Sequence, residues 1–312
     1  MKIFAPEYYG EFKCIADKCK NSCCIGWEID IDKASLERYD SIEGDFGKRL
    51  ERCICRNEGE THFILSDGER CPFLNENNLC DIFIELGEDS LCDICTDHPR
   101  FRNFYDSRTE IGMGLCCEAA TELVLEWDKP FSLVEIDDDE ETEGFDETED
   151  VFFALREKVF EIISDESVSV DKCAERLAEA FGAELPQKSF EEWVDVFLDL
   201  EILDEEWINI LKRAKFCKEP DSGIFESERG SNMEKQLLLY FIYRHTADGM
   251  YDGTFVARLA FAVLSVCMIK NLCAVSEKRD FETFKDIARR YSAEIEYCEE
   301  NVERLIEMLM LR

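Results

Sequence analysis

The second half of the chain repeats apolar residues at spacings of three and four, the period of an α-helix with one buried face. A capping box adds one more helix start, because Ser189 is followed three residues later by Glu192 and then by Trp193, Phe197 and Leu198. No repeat of fixed length is present, so the pattern indicates an α-helical bundle or array. The spacing predicts helices over residues 151–163, 170–181, 234–245, 255–275 and 281–311.

The first half has a less regular pattern. Residues 27–32 (WEIDID) alternate apolar and acidic positions, which predicts a short half-buried strand. Asp32 is then expected to cap a helix that holds Leu36 and Tyr39. A second strand is predicted over residues 61–66, and a helix over residues 113–126, where the Cys116-Cys117 pair lies.

A run of acidic residues separates the two halves. Residues 136–150 are mostly Asp and Glu, whose like charges repel one another and stay solvated, so we predict an acidic linker or loop there. The domain prediction is therefore a cysteine-rich metal-binding domain at 1–135 and an α-helical domain at 151–312. The predicted fold class is mainly α: an irregular cysteine-rich domain with a few short strands, packed on the helical domain.

The charge balance narrows the possible partners. Among 312 residues, 72 are acidic and 36 basic, for a formal net charge of −36. Nucleic acids and anionic membranes would be repelled, whereas a basic protein partner would be attracted. The opening MKIFAPEYYG has no apolar run, so we expect no signal peptide. The apolar run at 259–269 is too short to span a bilayer, and we expect a cytoplasmic protein.

Cysteines are the most informative residues. Five of the 17 are scattered through the second half, where they are expected to be small buried apolar residues. In a reducing cytosol the dense group in the first part indicates metal ligands or catalytic thiols before disulfides. That group is Cys14, Cys19, Cys23, Cys24, Cys53, Cys55, Cys71, Cys80, Cys92, Cys95, Cys116 and Cys117.

Spacing alone does not select the metal. Only Cys92 and Cys95 form a Cys-x2-Cys pair of the zinc-knuckle type, and the ferredoxin run is absent. Gly26 stands where a Cys-x3-Cys-x2-Cys motif would need its third cysteine. Zinc and an iron–sulfur cluster therefore remain equally open. Glycine-rich phosphate loops and nucleophile elbows are absent as well, and His62, His98 and His245 are isolated in sequence.

Several motifs together resemble the flagellin lysine-N-methylase family, over nearly the whole chain. The cysteine-containing matches are FKC at 12–14, SCCIGWEIDID at 22–32, RCPFL at 70–74 and NLCDI at 78–82. Cys19, Cys95, Pro99-Arg100 and Leu115-Cys116 also match, as does YSAEIEYCEEN at 291–301. Positions that depart from the family pattern are Cys92, His98, Cys117, Ala293, Tyr297 and Cys298.

The resemblance implies a protein-lysine N-methyltransferase that uses S-adenosylmethionine, acts on flagellin and contains a [4Fe–4S] cluster. It favours iron–sulfur over zinc. Among the matching thiols, Cys19, Cys23, Cys95 and Cys116 are our preferred ligands. The full set of candidate metal ligands is Cys14, Cys19, Cys23, Cys24, Cys71, Cys80, Cys95 and Cys116.

Methylation of lysine requires a neutral amine, since the ammonium has no lone pair and the ordinary lysine pKa is about 10.4. Glu118, just after the cysteine pair, is the candidate base. Arg100 is the candidate partner for the donor's carboxylate, and the ring of Trp27 would suit its sulfonium. Two alternatives remain: a non-catalytic zinc-stapled protein-binding module and an iron–sulfur electron carrier.

Overall fold

The computed structural model describes residues 2–57, 60–138, 147–216 and 223–311. Helices hold 59% of the residues and strands 12%, which confirms the mainly α prediction. The chain divides into two compact units. We call Lys13–Arg100 the cysteine-rich unit, and Met1–Phe12 with Phe101–Arg312 the helical unit.

Six strands are present in the described residues: β1 (Lys2–Pro6), β2 (Ile54–Asn57), β3 (Glu60–Phe63), β4 (Arg100–Phe104), β5 (Arg108–Met113) and β6 (Leu133–Asp138). The antiparallel pair β2–β3 belongs to the cysteine-rich unit. A four-stranded sheet has the order β4-β5-β1-β6, in which β1 is parallel to β5 and antiparallel to β6. The sequence pattern did not predict this sheet, because its strands have only five or six residues and lack regular alternation.

The sheet explains why the structural division differs from the predicted domain limits. β1 bonds to β5 and β6, so the first residues of the chain belong with the helical unit. The predicted limit at residue 135 falls inside β6. Of the predicted acidic linker, residues 139–146 lie outside the described residues, and the next helix begins at Glu147.

The α-helices of the described residues are α1 (Lys33–Asp40), α2 (Gly44–Cys53), α3 (Asp81–Leu86), α4 (Asp93–Asp97), α5 (Glu118–Leu125), α6 (Glu147–Ser164), α7 (Val170–Phe181), α8 (Phe190–Leu198), α9 (Glu205–Lys215), α10 (Glu228–His245), α11 (Gly249–Asp252), α12 (Phe255–Ala274), α13 (Phe281–Tyr291) and α14 (Glu299–Met310). The first four lie in the cysteine-rich unit and the others in the helical unit.

The structure confirms both predicted helix caps. Asp32 Oδ1 accepts the backbone N–H of Ser35 at 2.8 Å and caps α1. Ser189 and Glu192 form the predicted reciprocal capping box at the start of α8. Side chains that bond within three residues of their own position are specified locally, and this is why the sequence revealed them.

Two predictions in the first half need correction. Residues 27–32 do not form a strand: they hold one isolated bridge between Asp30 and His62, supported by the Ile31 N–H to Thr61 bond. The pairing is too short to count as a ladder. The helix predicted over 113–126 begins only at Glu118, because Met113 is the last residue of β5.

The long helix predicted over 281–311 is interrupted. α13 ends at Tyr291, a π-helical turn spans Ser292–Glu296, and α14 begins at Glu299. A π turn holds more residues than an α turn, so it changes which side chains face inward. As a result Glu294, Ile295 and Glu296 are all buried although they are consecutive.

The helical unit has a large apolar core around α12. This helix packs against α10, α13 and α14. It has 20 residues and a mean hydropathy of 1.7, so by length and composition it could cross a membrane. However, 61% of that segment is buried inside the protein, as in the core helix of a bundle. The apolar run at residues 259–269 of the sequence lies within α12.

The cysteine-rich unit has its own smaller core. Phe63 and Phe73 pack edge to face with ring centroids 5.1 Å apart, beneath α1 and α2. Cys71 and Cys92 are members of the same core. The reactive side chains of this unit are therefore also part of what holds it together.

Candidate functional site

Six thiols of the cysteine-rich unit form a group that we call the thiol cluster: Cys23, Cys24, Cys71, Cys80, Cys92 and Cys95. Backbone bonds between distant segments bring these residues together. The Cys71 N–H donates to the carbonyl of Cys24 at 2.8 Å, and Cys80 pairs with Leu74 in an isolated bridge. The Tyr39 hydroxyl lies 3.3 Å from Cys92 Sγ.

The thiols of this cluster influence one another electrostatically. A hydrogen bond from Cys23 stabilises the Cys24 thiolate and lowers the pKa of Cys24 to about 7. Burial raises the pKa of Cys71 to about 12, and the nearby Cys24 and Cys80 act in the same direction. Cys24 is therefore partly a thiolate at neutral pH, and it lies beside Cys71, which keeps its proton.

Cys92 and Cys95 share a hydrogen bond across one turn. Cys95 donates to Cys92, which lowers the pKa of Cys92, while the same bond and burial raise the pKa of Cys95. Cys24 and Cys71 lie near enough to Cys95 to raise its pKa further. The shared hydrogen bond thus shifts the pKa values of the two thiols in opposite directions, as expected for two acidic groups in contact.

Thiolates are the donors that zinc and iron–sulfur clusters take. All described cysteines are free thiols, so none is consumed in a disulfide. Within the described ranges, however, no three Cys, His, Asp or Glu side chains are arranged so that they could hold a metal ion. The donor chemistry suits a soft metal, whereas the positions of these side chains do not provide a preformed site.

Three predicted ligands, Cys14, Cys19 and Cys116, are not members of the thiol cluster as defined here. Cys14 is exposed, and its sulfur accepts the Ala16 N–H at 3.4 Å. Cys19 donates to the carbonyl of Asn21 at 3.2 Å. Cys116 belongs to the helical unit. Of the four preferred ligands, Cys23 and Cys95 are in the thiol cluster.

Trp27 and Arg100 both belong to the cysteine-rich unit. The Trp27 indole N–H donates to the carbonyl of Cys23, and its ring lies 6.3 Å from that of His98. Arg100 Nη1 donates to the carbonyl of Thr96 at 2.8 Å. Burial, together with the charge of Arg100, lowers the pKa of His98, so this imidazole is neutral at pH 7.

A second group of polar side chains is buried in the helical unit; we call Tyr240, Arg244, His245 and Glu296 the buried network. Three of these residues lie on α10, and Glu296 comes from the π turn. His245 Nε2 lies 2.6 Å from Glu296 Oε1, and the Tyr240 hydroxyl donates to both carboxylate oxygens at 2.9 and 3.0 Å. Arg244 Nε is 3.4 Å from the same carboxylate.

The charges of this network are fixed by its contacts. Burial opposes ionisation of Glu296, but the charge of Arg244 and the bond from His245 outweigh it, and the pKa of Glu296 is lowered. Burial also lowers the pKa of His245. The carboxylate is therefore ionised while the imidazole is neutral, with the hydrogen on Nε2 because a carboxylate only accepts.

Sequence reasoning missed this network. His245 is isolated in the sequence, because its partner Glu296 lies 51 residues away. The available signal was weak: Tyr240 and Arg244 are four residues apart and share one face of α10. The side chain of Glu296 is buried because of the π turn, and residue spacing in the sequence does not predict a π turn.

Cys116 and Glu118 lie at the junction between β5 and α5. Cys116 hydrogen-bonds to the Tyr297 hydroxyl, but burial dominates and raises the pKa of Cys116 to about 12. Tyr297 is 45% exposed, and its ring covers the Arg244 guanidinium at 4.8 Å. Glu118 is half-buried in the first turn of α5, where the helix dipole favours a carboxylate. The predicted base, Glu118, therefore lies two residues after Cys116, and the thiol of Cys116 bonds to Tyr297, whose ring covers Arg244 of the buried network.

Comparison with known proteins identifies the larger group to which this chain is related. Residues 113–311 match the model of the FliB lysine N-methylase C-terminal domain family. This range includes the buried network, Cys116 and Glu118. The chain belongs to the FliB lysine N-methylase C-terminal domain family. All six residues of the thiol cluster precede the matched range.

Curated relatives of this family member carry related names. The chain is 25% identical over 129 residues to a Lysine-N-methylase of Salmonella typhimurium and to one of Salmonella choleraesuis, covering 39% of the chain and 32% of each relative. It is equally similar to the Flagellar biosynthetic protein FliU of Salmonella muenchen, of which 76% is covered. The aligned part thus spans about a third of the two lysine methylases. No solved structure matches the chain.

Proposed function

We propose that this protein is a protein-lysine N-methyltransferase that transfers the methyl group of S-adenosylmethionine to lysine ε-amines of flagellin or a similar protein. The match of residues 113–311 to a lysine N-methylase family carries the proposal. The names of the Salmonella relatives support a protein substrate and a flagellar link. The excess of acidic over basic residues suits an acceptor that presents lysines.

The chemistry sets the requirements for the site. The amine lone pair attacks the methyl carbon, the carbon–sulfur bond breaks, and the sulfonium leaves as a neutral thioether. The amine must lose a proton before it attacks. We assign this proton to Glu118, whose carboxylate lies at the start of α5 beside Cys116 and Cys117.

The donor is the second part of the proposal. Arg100 carries a guanidinium, and a carboxylate is the partner that such a planar fork of N–H groups binds best. Trp27 offers an aromatic ring that would suit the sulfonium. These two residues are proposed to bind the donor; neither takes part in bond making.

A Cys-ligated [4Fe–4S] cluster is the third part. Its ligands would come from the thiol cluster, with Cys14, Cys19 and Cys116 as further candidates. A bound cluster iron would supply a point of attachment for the donor's amino and carboxylate groups. Because no described group of three side chains is preformed, loading would require the sulfur atoms to move closer together.

Methyl transfer tests the activity directly. The protein, purified anaerobically, is incubated with flagellin and S-adenosylmethionine carrying a labelled methyl group, and the modified lysines are located by mass spectrometry. We expect Glu118→Gln to lower kcat by roughly a hundredfold, since a general base contributes about that much or more. Glu122→Gln, four residues along α5, serves as control and should retain activity. Absence of label on flagellin and on other lysine-rich proteins would refute the function.

Metal analysis tests the cofactor separately. Iron, sulfide and zinc are measured in the wild type, in Cys71→Ala and in Cys173→Ala. Both cysteines are buried, but only Cys71 belongs to the thiol cluster. We expect iron and sulfide in the wild type, a marked loss in Cys71→Ala and no loss in Cys173→Ala. Zinc without sulfide would contradict the iron–sulfur proposal, and equal metal content in both variants would contradict the ligand assignment.

A further inference from the structure

The Tyr240 hydroxyl has every hydrogen-bonding position filled. It donates to Glu296 and accepts from Arg244 Nη1 at 2.8 Å. Its remaining acceptor position takes the backbone N–H of Leu115 at 3.2 Å. A phenol can make one donor and two acceptor bonds, so the orientation of this hydroxyl is fully determined.

Leu115 is held from both sides of its peptide backbone. Its N–H bonds to Tyr240, while its carbonyl accepts the Thr121 hydroxyl at 2.5 Å. Leu115 is completely buried and immediately precedes Cys116. These two side-chain bonds therefore fix the turn that joins β5 to α5.

A second connection reaches the same turn. The Tyr297 hydroxyl contacts the Cys116 thiol, and Tyr297 directly follows Glu296 in the chain. Its ring and that of Phe101 cover the Arg244 guanidinium, at 4.8 and 5.0 Å. Two connections thus link this region to the Cys116 turn. Tyr297, which directly follows the π turn, contacts Cys116, and Glu296 in the π turn bonds to Tyr240, which in turn bonds to Leu115.

Stability alone does not explain such an arrangement. Burying a carboxylate and a guanidinium costs desolvation energy, and an apolar cluster of equal volume often stabilises a core as well or better. Buried polar groups of this kind specify one geometry. π turns, moreover, occur frequently at functional sites.

We propose that Tyr240 and Glu296 are positioning residues that hold the Leu115–Cys116 turn, and with it the adjoining Glu118, in the geometry that methyl transfer uses. This inference rests on the proposed function, because it gives Glu118 its role. The negative charge of Glu296 orients the Tyr240 hydroxyl, and this hydroxyl then holds the backbone N–H of Leu115 in place.

The test compares two tyrosines of α10. Tyr240→Phe removes the hydroxyl that holds Leu115. Tyr243→Phe removes an equally buried hydroxyl that donates to the carbonyl of Ile111 at 3.1 Å, and serves as matched control. Amide hydrogen exchange at Leu115 and alkylation of Cys116 by iodoacetamide, located by tandem mass spectrometry, report positioning without requiring activity.

In Tyr240→Phe we expect both exchange at Leu115 and alkylation of Cys116 to become about two- to tenfold faster, the range that one hydrogen bond corresponds to. We expect kcat to fall about ten- to a hundredfold with little change in KM, because bound substrate would meet a displaced base. Tyr243→Phe should match the wild type in all three measurements. Glu296→Gln, which keeps the shape but removes the charge, should shift them in the same direction as Tyr240→Phe.

Several results would overturn the inference. Unchanged exchange and labelling in Tyr240→Phe would show that the hydroxyl does not hold the turn. Faster exchange in Tyr240→Phe with the kcat of the wild type would show that the network has only a structural role. An equal loss of kcat in Tyr243→Phe would show the same. If the wild type itself transfers no methyl group, the proposed function fails, and with it the catalytic part of this inference. Exchange and labelling would still decide whether Tyr240 holds Leu115.

Discussion

The cysteine-rich unit and the helical unit accommodate their reactive groups in opposite ways. In the cysteine-rich unit the longest helix has 10 residues, and buried thiols such as Cys71 are themselves members of the core. In the helical unit α12 alone has 20 residues, and the buried network is a polar inclusion in a large apolar core. A small unit has little apolar surface to bury, so the same residues serve both packing and chemistry.

This difference has a practical consequence for mutagenesis. Changing a thiol of the cysteine-rich unit alters packing and reactivity together. Changing a residue of the buried network alters polar geometry while the surrounding apolar contacts remain. The following predictions test this contrast, from the largest expected effect on stability to the smallest.

The largest effect should come from truncating a core aromatic in each unit. Phe261 on α12 and Phe73 in the cysteine-rich unit are both fully buried. Replacing either by Ala should cost about 3–5 kcal/mol of unfolding free energy, because each leaves a large cavity. Chemical denaturation measures the loss of unfolding free energy, and a separate hydrogen-exchange experiment shows which peptides open.

Exchange shows whether the two cores respond separately. We expect Phe261→Ala to accelerate exchange in α10, α12 and α13, and Phe73→Ala to accelerate it in β2 and β3. If both variants open the same peptides, the two units behave as one cooperative core and the contrast drawn above is wrong.

An intermediate effect is expected from pH. Burial raises the pKa of Glu294 from 4.5 to about 7, while its carboxylate accepts the Leu203 N–H at 3.0 Å. The unfolded chain ionises this group at lower pH than the folded chain does. Stability from Glu294 is therefore full below about pH 4.5 and is lost as the pH rises through about 7, by an amount of order 2 kcal/mol.

Glu294→Gln isolates this contribution. Between pH 4.5 and pH 7.5 we expect the wild type to lose unfolding free energy relative to the variant, because Glu294 ionises over this range and glutamine does not titrate. Thermal unfolding at several pH values measures it. A difference that stays constant over this range would show that Glu294 ionises normally.

The smallest effects concern helix caps, and they distinguish the units again. Asp32 accepts N–H groups from both Ser35 and Asp93, so it joins the starts of α1 and α4. Ser189 caps only α8. We expect Ser189→Ala to cost about 1 kcal/mol and Asp32→Ala about 2 kcal/mol, the upper part of the usual range for caps. Equal costs in urea denaturation would mean that the bond to Asp93 contributes nothing.

Much of the helical unit could be predicted from spacing. α7 begins and ends where the pattern placed it, and the caps of α1 and α8 were recognised from single residues. The four-stranded sheet was not predicted, since β1 and β5 are paired by residues more than 100 positions apart. Pairing over such distances leaves no local trace.

The candidate site divides in the same way. The sequence singled out the thiols by their density, and it placed Glu118 beside Cys116. It did not show that Cys24, Cys71, Cys80 and Cys95 lie near one another, or that Cys14 and Cys19 hydrogen-bond to residues two positions away. The partners of a thiol are decided by the path of the backbone between the cysteines.

The sequence by itself determined the helical character of the chain, its local caps, its acidic charge and the kinds of donor atoms it offers. These properties follow from single residues and short periods. Only the tertiary structure decided that His245 meets Glu296 and that Tyr240 holds Leu115. Such contacts depend on one π turn and on the packing of α10 against elements far away in the sequence, where no short-range rule applies.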